Sequence, residues 1–164
     1  MKDIRGNVDT RLRKLDKGDF DALVLAEAGL RRLRLSGRIC QVLPPSVCLP
    51  AVGQGALGLE IRSDDASARE SVRPLDDPAT HAAVLAERAL LAELRGGCLA
   101  PVAAWGRQEG PSLVLTGRVL SPDGHRKLEA SLPGEADQAA DLGRRVAAEL
   151  LAQGAAELIR LARV

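Results

Sequence analysis

The chain has 164 residues, 46% of them apolar and 27% charged, which is enough to bury one or two cores and too apolar to stay disordered. Lysine and arginine number 23 against 22 aspartates and glutamates, and Phe20 and Trp105 are the only aromatic residues, so the basic field and stacking rings of a nucleic-acid partner are both lacking. No apolar run approaches the roughly 20 residues that span a bilayer, and "MKDIRGNVDT" holds no signal-peptide core; a cytoplasmic protein with no membrane partner is expected.

From Asn7 to Lys17, Val8, Leu12 and Leu15 recur at helical spacing and Gly18 follows, which predicts a first helix. "DALVLA", Asp21 to Ala26, predicts a buried strand feeding a second short helix in "EAGLRRLRL". Pro44 to Arg62 is rich in proline and glycine and ends in "ALGLEIR", a predicted strand; the segment reads as a crossover between lobes. Its "AVGQGALG" is a poor dinucleotide fingerprint, since it lacks a third glycine at the required offset and precedes a strand.

Asp77-Pro78 supplies an N-cap and a proline at the first helical position. The helix it opens places Ala83, Ala86, Leu90 and Leu94 on one face, and Gly96-Gly97 is expected to end it. Strands are predicted in "LAPVAAW", "SLVLTGRVL" and "RKLEASL", the last two joined by the turn residues of "SPDGH". A closing helix from about Glu135 to Gln153 carries the stripe Ala139, Leu142, Val146 and Leu150, and Gly154 breaks it before a last short helix. The fold class expected is α/β plus α+β. Residues 1–48 belong to an α/β domain, 49–76 form the crossover, and 77–164 form a small C-terminal domain with a three-stranded antiparallel sheet and helices.

Three cysteines, an odd number, argue against a disulfide framework. Cys40 and Cys48 sit among apolar neighbours and are expected to be small buried hydrophobes. No zinc spacing joins them to His81 or His125. Cys98 differs because "RGGCLAP" places it between a helix and a strand, where the glycines could accommodate positive φ and let the thiol project. The C-terminal end of a helix raises a thiol pKa, so the residues alone leave both a reactive site and an ordinary loop cysteine open. Arg5, Arg11, Arg31 and Arg32 would suit a polyanionic small molecule through bidentate carboxylate pairing. Arg13, Lys14 and Arg34 read better as solvated helix faces.

"RGNVDTRLRKLDKGDFDALVLAEAGLRRL", "LPAVGQGALGLEIR" and "ERALLAELRGGC", in this order, resemble the porphobilinogen deaminase (hydroxymethylbilane synthase) family across nearly the whole chain. The resemblance implies a transferase that joins four porphobilinogen molecules into hydroxymethylbilane, releasing ammonia, on the route to haem. It implies a dipyrromethane cofactor held by a thioether to Cys98 and bound also by Arg11. Arg5, Arg11, Arg32 and Gln54 would line the cleft for porphobilinogen and the growing polypyrrole chain. It further implies a periplasmic-binding-protein-like α/β domain, only partly contained in this chain, and a monomeric full-length enzyme. The match begins inside the family's second domain, so the family's catalytic aspartate falls outside these residues and the chain alone is expected to be inactive. Leu99 and Ala104 depart from the family's pattern around the cysteine. The alternatives are a non-catalytic tetrapyrrole-binding or interaction module, and a plain α+β structural domain.

Overall fold

Asn7 begins the regular structure by accepting a hydrogen bond from the Thr10 amide, 2.9 Å, through its side chain, which satisfies one of the unpaired amides at a helix start. The computed structural model describes residues 2–97 and 100–162. By the density of contacts the chain divides into two units, Met1–Pro44 and Pro45–Val164.

The first unit holds two short helices, α1 (Val8–Asp16) and α2 (Glu27–Arg32). Leu12 and Leu30 are its buried apolar residues. Helix α1 ends as expected at Gly18, whose positive φ of 79° permits the closing bonds from Gly18 to Leu15 and from Asp19 to Lys14. A single 3₁₀ turn, Ser36–Arg38, follows α2 and brings Arg38 onto the carboxylate of Asp16. The predicted strand at Asp21–Ala26 does not form: the segment has no ladder partner among the described residues, and Val24 is 71% exposed. An apolar run becomes a strand only where a neighbouring strand takes its backbone bonds.

The second unit contains the sheet. Strands β1 (Val102–Glu109), β2 (Ser112–Leu120) and β3 (Lys127–Gly134) form an antiparallel meander in the order β1-β2-β3. The first hairpin turns at Gly110, φ 59°, and Pro111, and keeps Glu109 opposite Ser112. Along β2, Leu113, Leu115 and Val119 alternate into the core. Helices α4 (Pro78–Glu93) and α5 (Ala139–Ala152) cover that face, α4 over β1 and α5 over β2 and β3. The expected stripes are the buried ones: Ala83, Ala86, Leu90 and Leu94 on α4, and Ala139, Leu142, Val146 and Leu150 on α5. The two helices approach closely because Gly143 has no side chain; a Cβ there would sit 2.3 Å from the Ala86 carbonyl oxygen. Helix α6 (Ala155–Leu161) closes the unit.

Three further differences from the expectations have physical reasons. Ala56–Arg62 is not a strand and pairs with nothing among the described residues, leaving Leu57 88% exposed. Helix α3 (Ala66–Val72), capped by Asp65, forms in the stretch read only as crossover. Helix α4 ends not through a left-handed glycine but through Arg95, φ 50°, with Arg95 bonded to the Ala92 carbonyl and Gly96 to that of Leu91. A Cβ on Gly96 would lie 2.7 Å from Leu91 Cδ1, the mobile end of a side chain.

Candidate functional site

The turn Gly53-Gln54-Gly55 is the most firmly held of the candidate positions. Upstream, buried Arg118 donates to the Ser46 carbonyl at 3.2 Å and pairs with Glu129 at 2.6 Å. Pro50 then accepts from the Ala104 amide at 3.0 Å, and Ala51 bridges Ala103, so this stretch covers part of the otherwise open edge of β1. Gln54 donates its amide to the Ala51 carbonyl at 3.0 Å, and Gly53 and Gly55 take positive φ of 70° and 88°, conformations that glycine adopts without a Cβ clash. The Gln54 side chain is exposed at a shallow depression of about 360 Å³ that Thr80, Trp105, Arg107 and Gln108 also line.

Glu87 reaches this turn from α4. It is 6% exposed, and its two oxygens accept from the Gly53 and Gly106 amides, each at 2.7 Å. Burial pushes its carboxyl above the ordinary carboxylate range, and the two backbone N–H groups act in the opposite direction. Glu87 is not among the residues that the sequence pattern singles out. Its one signal there is a carboxylate four residues after Ala83, on the same stripe as Leu90 and Leu94.

A broader cleft of about 1190 Å³ is lined by Leu57, Leu59, Leu91 and Gly96. Arg69, Arg73 and Arg88 line it. Cys98 lies outside the described residues, as does Leu99. Cys40 and Cys48, expected to be buried, are exposed, as are their neighbours Val42 and Val47. Apolar neighbours in sequence bring burial only where an element packs over them, and neither cysteine lies in a helix or strand that does so.

In the first unit, Arg11 is partly buried and its Nε donates to the Gly6 carbonyl at 2.8 Å, while Lys14 reaches the Arg5 carbonyl at 3.4 Å. The start of α1 thus gathers Arg5 and Arg11 around one turn. Arg32 stands apart on α2 and is exposed. The side chains of Arg5 and Arg32 make no hydrogen bond or ion pair among the described residues, nor do the terminal nitrogens of Arg11. Arg31, by contrast, is engaged with Glu27 at 2.6 Å, and Arg13 turns to Thr10 at 3.3 Å.

Comparison with known families decides what these positions belong to. Residues 1–70 match the family model described as porphobilinogen deaminase, dipyromethane cofactor binding domain, and residues 81–152 match the porphobilinogen deaminase C-terminal domain. A porphobilinogen deaminase of Acidithiobacillus ferrooxidans is 53% identical over 97% of this chain and 51% of its own length. The chain belongs to the porphobilinogen deaminase family. Relatives of the same name from Synechococcus sp. strain RCC307 and Chromobacterium violaceum are 51% and 52% identical, each over 97% of this chain. The chain spans about half the length of these curated porphobilinogen deaminases. Along the sequence, Arg5, Arg11, Arg32 and Gln54 fall within the cofactor-binding domain of the family, and Glu87 and Cys98 within its C-terminal domain.

Proposed function

We propose that this chain is the C-terminal half of a porphobilinogen deaminase, the enzyme that polymerises four porphobilinogen molecules into hydroxymethylbilane with release of ammonia. The observation that carries this reading is the ordered match to both family domains along one chain. In this reading residues 1–48 complete a periplasmic-binding-protein-like α/β domain, 49–76 cross to the first domain, and 77–164 form the domain bearing the cofactor cysteine. The complete enzyme is a cytoplasmic monomer with no nucleic-acid or membrane partner.

The dipyrromethane supplies, when bound, a covalent primer on which further pyrroles are joined; Cys98 would hold it. The residues of this chain suit such a group by their donor chemistry. A dipyrromethane carries acetate and propionate side chains, and Arg5, Arg11 and Arg32 offer guanidinium nitrogens that no residue of the described chain occupies. The role assigned to these arginines is charge neutralisation and orientation of the pyrrole carboxylates. Gln54 adds an uncharged side chain able to donate and accept, presented on a turn fixed to β1. The catalytic carboxylate of the family is supplied by the first half of the relatives' length.

The test is complementation. The chain alone should not consume porphobilinogen, whereas the chain co-expressed with the first half of the Acidithiobacillus ferrooxidans relative should convert it to hydroxymethylbilane. Steady turnover by the 164 residues alone would contradict the assignment of the catalytic acid, and no turnover from an assembled pair would contradict the functional reading.

A further inference from the structure

A buried carboxylate is costly unless its charge is answered, and at Glu87 the answer comes from two backbone amides that belong to different parts of the unit. Oε2 takes the Gly53 amide and Oε1 the Gly106 amide, both at 2.7 Å. Gly106 lies on β1, where its backbone packs so closely on α4 that a Cβ would come within 2.9 Å of Ala83. Gly53 begins the turn that carries Gln54. One side chain on α4 therefore ties the turn to the edge strand and the helix together.

The turn needs that tie. Its internal bonds are Gln54 to the Ala51 carbonyl at 3.0 Å and a longer one, Ala56 to the Gly53 carbonyl at 3.3 Å. Both flanking glycines occupy left-handed backbone states, and glycine has the largest freedom to lose on ordering. Past the turn, residues 56–62 run without regular structure, so the segment that directly follows gives Gln54 no helix or ladder bonds.

We propose that Glu87 is the positioning residue of the Gln54 turn, setting where Gln54 is presented to the pyrrole substrate without itself touching substrate. The proposal rests on the reading of Gln54 as substrate-facing. Only glutamate can hold both amides in this way. Glutamine offers one acceptor oxygen and turns its NH₂ on the other amide, and aspartate is one methylene too short to hold both at the same separation.

Amide hydrogen exchange followed by NMR on the 164-residue chain tests the tie. The Gly53 and Gly106 amides should be protected in the unsubstituted protein. Glu87→Gln should speed exchange at Gly53 and Gln54 by about tenfold or more, the loss expected for a charge-assisted hydrogen bond, while Leu115 and Leu150 in the core keep their rates. An unprotected Gly53 in the unsubstituted chain would overturn the proposal whether or not the variant folds. A uniform acceleration across the core in Glu87→Gln would overturn it too, since that marks a merely structural role. Titration with porphobilinogen separates this proposal from the reading beneath it. The Gln54 side-chain amide should shift in the unsubstituted chain and respond less in Glu87→Gln. A protected Gly53 with a silent Gln54 would retain the tie, remove the substrate reading, and so overturn the positioning role.

Discussion

The proposed function assigns Arg5, Arg11 and Arg32 to substrate carboxylates and leaves Arg13 and Arg34 as solvated positions. A guanidinium that meets a substrate carboxylate in a desolvated cleft makes hydrogen bonds to a charged group worth about 1.5–3 kcal/mol, whereas a solvated surface substitution usually changes stability by less than about 0.5 kcal/mol. In the chain assembled with its complementary half, Arg11→Leu and Arg32→Leu should therefore lower kcat/KM for porphobilinogen by about 10- to 150-fold. Arg13→Leu and Arg34→Leu should leave it nearly unchanged. Arg11→Leu should also loosen the start of α1, because its Nε holds the Gly6 carbonyl. Steady-state kinetics of the four variants decide the point, and equal behaviour of the two pairs would remove these arginines from substrate binding. At this scale the family motifs are legible in the sequence, but the mechanical support of the Gln54 turn is not. Glu87 is hidden there because a charge on an apolar stripe can be read as a lapse in the pattern, and only the fold brings Gly53 and Gly106 to its two oxygens.

Among the elements, α4 carries the most weight, since it packs on β1, β2 and α5 and sends Glu87 to the Gln54 turn. Asp77 starts it by accepting from the Thr80 amide at 2.7 Å. That backbone N–H holds the Asp77 carboxyl below its ordinary value. A carboxylate with a depressed folded pKa stabilises the fold above the ordinary carboxylate pKa, and its contribution is lost as pH falls through the depressed value. Replacing Asp77 by asparagine, a cap of similar strength without a titrating charge, should flatten this part of the acid limb of the thermal midpoint. An unchanged acid limb, measured from neutral pH downward by circular dichroism, would show that the cap does not contribute.

The same helix shows why some elements are legible in the sequence. Asp77-Pro78 and a continuous apolar stripe specify α4 locally, and the alternation in β2 and β3 is answered by partners close in sequence. Asp21–Ala26 has the apolar run and Ala56–Arg62 the alternation of a strand, but neither has a partner strand among the described residues, and sequence pattern cannot say whether a partner is present. Helix α3 escapes notice because it has no buried residue and hence no apolar stripe. The end of α4 falls where the glycine pair suggests, but for a different reason, as the left-handed residue is Arg95 and not a glycine.

Over the whole molecule, charge is distributed unevenly. The first 44 residues hold ten lysines and arginines against six acidic residues, although the complete chain is nearly neutral. That excess of cationic groups falls in the segment matched by the cofactor-binding domain of the family. The share of the relatives' length that this chain covers, about half, bounds what it should do alone, and the exposed Leu57, Leu59 and Val24 are apolar groups that nothing within the described chain covers.

Under the proposed function, Cys98 tethers the dipyrromethane. The most direct test of this tether is the intact mass of this chain, co-expressed with the first half of the Acidithiobacillus ferrooxidans relative in cells that make tetrapyrroles, followed by peptide mapping. One added dipyrromethane is expected, located on the peptide containing Cys98 and abolished by Cys98→Ser. An unmodified chain recovered from an assembled pair, or an adduct on Cys40 or Cys48, would contradict it.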